Sequence, residues 1–158
     1  MVANQELREC QLFSGLSDAE LAKVASSVLV KEYEAGAIIF QEGDSAEELL
    51  VLQEGRVALQ MTLPKIEGQS RRITVDIVTR NDVIGWSALV EPYKYNFAAV
   101  CLQKVKAQSI SGNKLRWLLQ DDPRIGYEVL KGLTQVIASR LHDTTQVLVS
   151  ERLLARPS

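Results

Sequence analysis

No stretch of this 158-residue chain is apolar for long enough to cross a bilayer as a helix, which takes about 20 such residues in a row. The opening residues, Met1-Val2-Ala3-Asn4-Gln5-Glu6, lack the basic start and apolar centre of a secretory signal. The expectation is a cytoplasmic protein with no membrane contact. Positive charge is not in excess: 18 Lys and Arg stand against 20 Asp and Glu, and they are scattered. That removes the electrostatic footprint of a nucleic-acid binder. There is a single histidine, His142, and there are two cysteines, Cys10 and Cys101, that share no motif. Metal-ligand spacing and a nucleophile with its base are both missing, so no metal site, no catalytic residue and no enzyme are expected. His142 stands beside Asp143, but adjacent residues on a helix do not face each other. In a reducing compartment the cysteines are expected to be free, buried thiols. No internal repeat or low-complexity linker divides the chain, so one domain over 1–158 is expected.

What is present reads as a β-rich middle between helical ends. A short helix is expected over 4–12. Ser17-Asp18-Ala19-Glu20 is a capping box, in which the Ser17 hydroxyl takes the Glu20 N–H and the Glu20 carboxylate reaches back. Leu21, Val24, Ala25 and Val28 keep helical spacing after it, which predicts a helix over 17–28. From residue 29 the period changes to two. Short apolar strands follow around Ile38-Ile39-Phe40, Leu49-Leu50-Val51-Leu52, Val57 to Met61, Ile73 to Thr79, Phe97 to Leu102 and Val105 to Ile110. Glycine turns separate several of them, and Pro64 to Gln69 is expected as a hairpin loop. Many short strands around a closed interior predict a barrel or jelly roll over 29–111. Helices return over 113–151. Asn113 is the expected cap of a short helix, and Pro123 suits the start of a long one. Val129, Leu133, Val136, Ile137, Leu141 and Leu148 recur along that helix at three- and four-residue spacing, a stripe suited to packing on the barrel or to forming a homodimer.

One stretch has the local features of a ligand site. Gly85-Trp86-Ser87-Ala88-Leu89 reads as a glycine-opened helical turn, and backbone N–H groups at such a turn suit an anion. A polar and aromatic loop, Glu91 to Phe97, then returns to a strand at Ala98.

Two longer patterns carry a resemblance. Tyr33-Glu34-Ala35-Gly36-Ala37-Ile38-Ile39-Phe40-Gln41-Glu42-Gly43-Asp44 is followed by Leu49-Leu50-Val51-Leu52-Gln53-Glu54-Gly55-Arg56-Val57. Leu12-Phe13-Ser14-Gly15-Leu16-Ser17 leads into them. Together these resemble the cyclic-nucleotide-binding domain of the CRP/FNR regulator superfamily, over about residues 7–150. The resemblance implies a mainly β fold with flanking helices: a cupin-like jelly roll with a long C-terminal helix. It also implies a phosphate-binding cassette in which a glycine and a glutamate precede a short helix and an arginine follows about ten residues on. The skeleton is kept at Gly85, Ser87, Ala88 and Ala98. The chemistry is not: Trp86 stands at the glutamate position, Asn96 at the arginine position, and Phe97 where a small hydroxyl residue is common. Each lost charge-assisted contact costs roughly 1.5–3 kcal/mol, about one to two decades in affinity. Cyclic AMP held in the usual Glu/Arg manner is therefore not expected. A small anionic or nucleotide-like ligand is, with Lys94 as a substitute cation lacking the arginine fork.

The resemblance further implies base contacts from Thr144 and Thr145 and a homodimer through the long helix. It implies a helix-turn-helix after that helix, which the sequence as given does not contain, so direct DNA binding is not expected. The leading expectation is a non-enzymatic sensor domain with no cofactor beyond its ligand. The alternatives are a protein-interaction or dimerisation module whose pocket is filled by Trp86 and Phe97, and the effector half of a split transcription regulator.

Overall fold

The computed structural model describes residues 2–66 and 69–154, with side chains over 4–63 and 71–154. The chain starts as helix α1 (Val2–Glu9) and a 3-10 turn (Gln11–Phe13), and continues as α2 (Asp18–Ala25). The capping box is in place: the Ser17 N–H donates to the Glu20 carboxylate at 2.8 Å, and the Glu20 N–H donates to the Ser17 hydroxyl at 3.3 Å. α2 ends three residues before the expected 28, because Val28 already pairs with Ile110 as the first residue of a strand.

Eight strands follow: β1 (Val28–Tyr33), β2 (Ile38–Phe40), β3 (Glu48–Glu54), β4 (Val57–Ile66), β5 (Gln69–Val78), β6 (Val83–Ile84), β7 (Ala98–Cys101) and β8 (Val105–Ser111). They form two antiparallel sheets, ordered β1-β8-β3-β6 and β2-β7-β4-β5. β3 lies between β8 and β6, which explains its unbroken apolar run: Leu49, Leu50, Val51 and Leu52 are all at most 1% exposed. Gly36 and Gly43 turn the chain on either side of β2 with φ of +86° and +90°. The hairpin loop expected at Pro64 to Gln69 is largely strand instead, since β4 runs to Ile66 and β5 starts at Gln69. Its tip, Glu67 and Gly68, lies outside the described residues, as do 155–158 and Met1.

Helices α3 (Gly112–Asp121) and α4 (Pro123–Leu154) complete the chain. The cap of α3 is Ser111, whose hydroxyl accepts from the Lys114 N–H, and not the expected Asn113. β8 carries the chain one residue further than its apolar pattern, so the extended residue before the first turn is Ser111. α4 begins at Pro123 as expected. It packs closely on the 3-10 turn at Gln11–Phe13, because a Cβ at Gly132 would stand 2.7 Å from the Gln11 carbonyl oxygen.

The apolar stripe of α4 divides in two. Ile125, Val129, Leu133 and Val136 are buried in the chain's own core. Val129, Leu133 and Val136 are therefore not free for a dimer face, because their helix surface is spent on the residues before the barrel. Ile137, Leu141 and Leu148 are exposed, and from Leu141 to Leu154 every residue is. That exposed end is about 21 Å long at 1.5 Å per residue.

Candidate functional site

The cassette begins where β6 ends. Gly85 has φ of +78°, and a Cβ there would meet the Glu48 carbonyl oxygen at 2.9 Å and the Tyr95 ring at 3.2 Å. Only glycine enters this left-handed corner without strain. It opens a four-residue 3-10 turn, Trp86–Leu89, not a longer helix. The Ala88 N–H is spent on the Gly85 carbonyl at 3.1 Å. The expected row of free N–H groups over 85–88 is thus shortened, and four residues sum to little of a helix dipole.

The second half of the cassette is tied to the turn before β3. Gly43 N–H donates to the Tyr95 carbonyl at 2.8 Å, Tyr95 N–H to Asp44 at 2.9 Å, and Ala46 N–H to Tyr93 at 2.7 Å. The Tyr95 hydroxyl donates to the Glu48 carbonyl at 2.6 Å and accepts from the Glu48 N–H at 3.2 Å. Its ring stacks on Phe40, with centroids 3.8 Å apart. Burial pushes the phenol up to about 12, so Tyr95 is a neutral structural clamp.

Two arginines from the helices complete the site. Arg116 of α3 donates to the Ala88 carbonyl and to the Asn113 side chain, and lies 4.2 Å from the Tyr93 ring centroid. It braces the back of the turn. Arg140 of α4 lines the cavity and also a neighbouring hollow that holds Asp76, Asp82 and Asp143. Its guanidinium lies 4.4 Å from the centroid of the Trp86 ring, and its Nη2 donates to the Val83 carbonyl at 2.7 Å. Its Nε stands 3.7 Å from the Asp76 carboxylate. Burial holds its pKa below the usual arginine value, while Asp76 and Asp82 pull it back up. The charge persists, since arginine stays protonated in proteins.

The cavity is lined by Phe40, Leu59, Gly85, Trp86, Ser87, Tyr95, Asn96, Phe97 and Arg140. Four of the chain's nine Phe, Trp and Tyr residues meet here. The space left is ≈ 20 Å³, room for about one water.

Of the residues singled out from sequence, Gly85, Trp86, Ser87, Asn96 and Phe97 line this cavity. Ala88 and Ala98 are buried beside it without reaching it. Lys94 is exposed and forms a lone bridge with Ser45. It does not line the cavity. Thr144 and Thr145 are exposed on α4, one turn beyond Arg140, and the Thr145 hydroxyl donates back to the Leu141 carbonyl at 2.8 Å. His142 is exposed and its imidazole meets the Gln146 side chain at 3.3 Å. Both cysteines are buried and free.

Arg140 is the residue that sequence reasoning passed over. A signal existed, because Ile125, Val129, Leu133 and Val136 step along the inward face, and the next step of four residues is position 140.

Two antiparallel sheets, a glycine-opened turn before β7 and a small aromatic cavity that Arg140 of α4 helps to line make up the site. The chain belongs to the cyclic nucleotide-binding domain family, whose sequence profile matches residues 30–122. It is similar to the CRP-like cAMP-activated global transcriptional regulator of Mycobacterium tuberculosis, at 24% identity over 142 residues. That match takes in 90% of this chain and 60% of that protein, so the chain spans under two thirds of its relative's length. It is also similar to Glutaminase 1 of Bradyrhizobium diazoefficiens, at 30% identity over 138 residues, which are 86% of this chain and 21% of that protein. Among solved structures, a cyclic nucleotide-binding domain from Methylobacillus flagellatus shares the fold with a TM-score of 0.81 at 19% identity, covering 94% of this chain and 85% of that one. Among the described residues, no helix is long and apolar enough to cross a membrane.

Proposed function

We propose that this chain is a single non-enzymatic sensor domain of the cytoplasm, comprising the N-terminal helices, the barrel of β1 to β8 and the C-terminal helices α3 and α4. It binds a small anionic or nucleotide-like ligand in the 85–100 cassette and reports through α4. The observation that carries this reading is the Arg140–Trp86 contact. One side chain belongs both to the long helix and to the wall of the cavity, so an anion that engages Arg140 acts on the helix directly. A ligand signals only if it favours one arrangement of that helix over another. Trp86 and Asn96 stand where the usual Glu/Arg recognition of cyclic AMP would need its two charges, and Lys94, Thr144 and Thr145 do not line the cavity.

Output through a homodimer is part of the proposal. The exposed end of α4 carries Ile137, Leu141 and Leu148 with four- and seven-residue steps, the spacing of a coiled-coil seam. A helix end of this length gains little stability alone in water, and most helices owe theirs to packing.

A thermal-shift titration with cyclic AMP, cyclic GMP, cyclic dinucleotides and simple nucleotides tests the nucleotide part. Combining Trp86→Glu with Asn96→Arg should create cyclic AMP binding, and more strongly when Arg140→Gln is added, because Arg140 would otherwise pair with the introduced carboxylate. A folded variant that binds nothing would refute the placement of the cassette. A second reading, an interaction module with a filled pocket, draws on the small cavity under Trp86 and Phe97. It predicts no stabilisation by any small anion and an unchanged dimer in size exclusion with light scattering.

A further inference from the structure

The cavity wall is chemically lopsided. Its body is aromatic, its one charge is cationic, and no carboxylate lines it. The Tyr95 hydroxyl is unavailable to a ligand because the Glu48 backbone engages it as donor and as acceptor. Besides Tyr95, the lining residues with polar side-chain groups are Ser87, Asn96, Arg140 and Trp86, the last through its indole N–H alone. A ribose phosphate would bring more hydroxyl and phosphate oxygens than these can satisfy, and buried polar atoms without partners are costly. A flat apolar body with one anionic head meets no such penalty.

Arg140 suits that head. Nη2 donates to the Val83 carbonyl, Nε pairs with Asp76 only at an ionic distance of 3.7 Å, and Nη1 makes no hydrogen bond among the described residues. The guanidinium is already oriented by its stack on Trp86, and the Arg140 side chain is 18% exposed. Planar guanidinium matches planar carboxylate better than any point charge does. The Trp86 and Phe97 rings offer faces and edges on which a ligand ring gains stacking energy.

We infer that the cassette takes a small aromatic carboxylate, with its head on Arg140 and its ring among the aromatic side chains around Trp86. This rests on the reading of 85–100 as a ligand site and goes beyond it by naming the ligand chemistry. Entry requires the Trp86 ring to give way, since the closed cavity holds ≈ 20 Å³. Ligand binding and release of the Trp86–Arg140 stack are then one event, and α4 feels it through Arg140.

The test uses the full chain carrying Trp117→Phe, so that emission reports Trp86 alone. Benzoate, phenylacetate and 3-phenylpropionate are titrated against phenylacetamide and cyclic AMP, followed by emission and by melting temperature. The expected result is saturable binding of at least one of the three carboxylates. Phenylacetamide, the neutral isostere, should bind at least about tenfold more weakly than phenylacetate, the loss expected for one charge-assisted contact. Arg140→Gln should remove most of the carboxylate preference, and Arg140→Lys part of it, with both variants checked for folding by circular dichroism. If Arg140→Gln does not fold, the amide comparison and Arg140→Lys decide alone. Equal binding of acid and amide overturns the inference, as does failure of all three carboxylates. Saturable cyclic AMP binding without carboxylate binding overturns it while leaving the sensor reading intact. Silence from all these probes and from the nucleotide panel sinks both.

Discussion

Replacing Arg140 by Gln should cost the fold several kcal/mol, although the residue lies on a helix surface and bonds no other helix. Three contacts are lost. The charge-assisted hydrogen bond to the Val83 carbonyl at 2.7 Å is worth about 1.5–3 kcal/mol. The stack on Trp86 at 4.4 Å adds about 1 kcal/mol at a partly buried position. The Asp76 pair at 3.7 Å, with that carboxylate 44% exposed, adds about 0.5 kcal/mol or less. Contacts sharing one side chain do not add fully, so a loss of about 2–4 kcal/mol is expected. For a chain of this length that is roughly 5–12 °C in melting temperature. A double-mutant cycle with Trp86→Leu isolates the stack, read by urea denaturation of the four proteins. The coupling should be about 1 kcal/mol. A coupling below about 0.3 kcal/mol would refute the claim that cassette and helix are joined through these two side chains.

Other outcomes follow from the same contacts. Leu133→Ala should destabilise the fold by about 2–5 kcal/mol, while Leu141→Ala should leave the monomer within about 0.5 kcal/mol of wild type and weaken any dimer seen by light scattering. The reverse order would show that α4 is rotated from its position here. Burial pushes the Cys10 thiol up to about 11, so mildly alkaline iodoacetamide should label it only after denaturation. The raised value favours the neutral thiol in the fold, a contribution present below the ordinary cysteine range and lost as pH rises towards 11. Rapid labelling of the native chain at Cys10 would contradict its burial. The Ser17 N–H lowers the pKa of Glu20, and Lys23 lowers that of Asp122. Both carboxylates therefore stabilise the fold above the ordinary carboxylate range, and this is lost as pH falls through their folded values. Ser17→Ala should cost about 1 kcal/mol, and Glu20→Gln, which removes the titrating group, should flatten the acid limb of a stability–pH curve. An unchanged acid limb would mean that the cap does not form in solution.

Whether a feature could be read from sequence depended on how local its cause is. The capping box needed four adjacent residues, and Ser17 and Glu20 stand as their spacing requires. β3 was legible because a strand buried on both faces must be apolar throughout, as Leu49 to Leu52 are. The glycine turn at Gly85 was legible too, since a left-handed corner admits few other residues. The end of the hairpin was not. Pro64 and Gly68 read as loop, yet a proline at the margin of a sheet can sit within a strand, and β4 continues past it. α4 failed for a different reason. Its apolar residues mark two faces, one ending at Val136 and the other starting at Ile137, and a single periodic stripe runs through both. Periodicity records spacing and carries no sign for inside or outside, so the two faces were merged. The same merging hid Arg140. Taken as part of a surface seam it is one more solvated cation. Placed one step beyond Val136 it is a charge entering the core, and a buried arginine needs partners. Trp86, Asn96 and Lys94 were weighed as replacements for the missing cassette groups because they are near in sequence. The cation at the cavity comes instead from 54 residues further along the chain than Trp86, where only the packing of helix on barrel can bring it. In the proposed reading the cassette's missing charge comes from the element that would report its occupation, and recognition and response would share the same guanidinium.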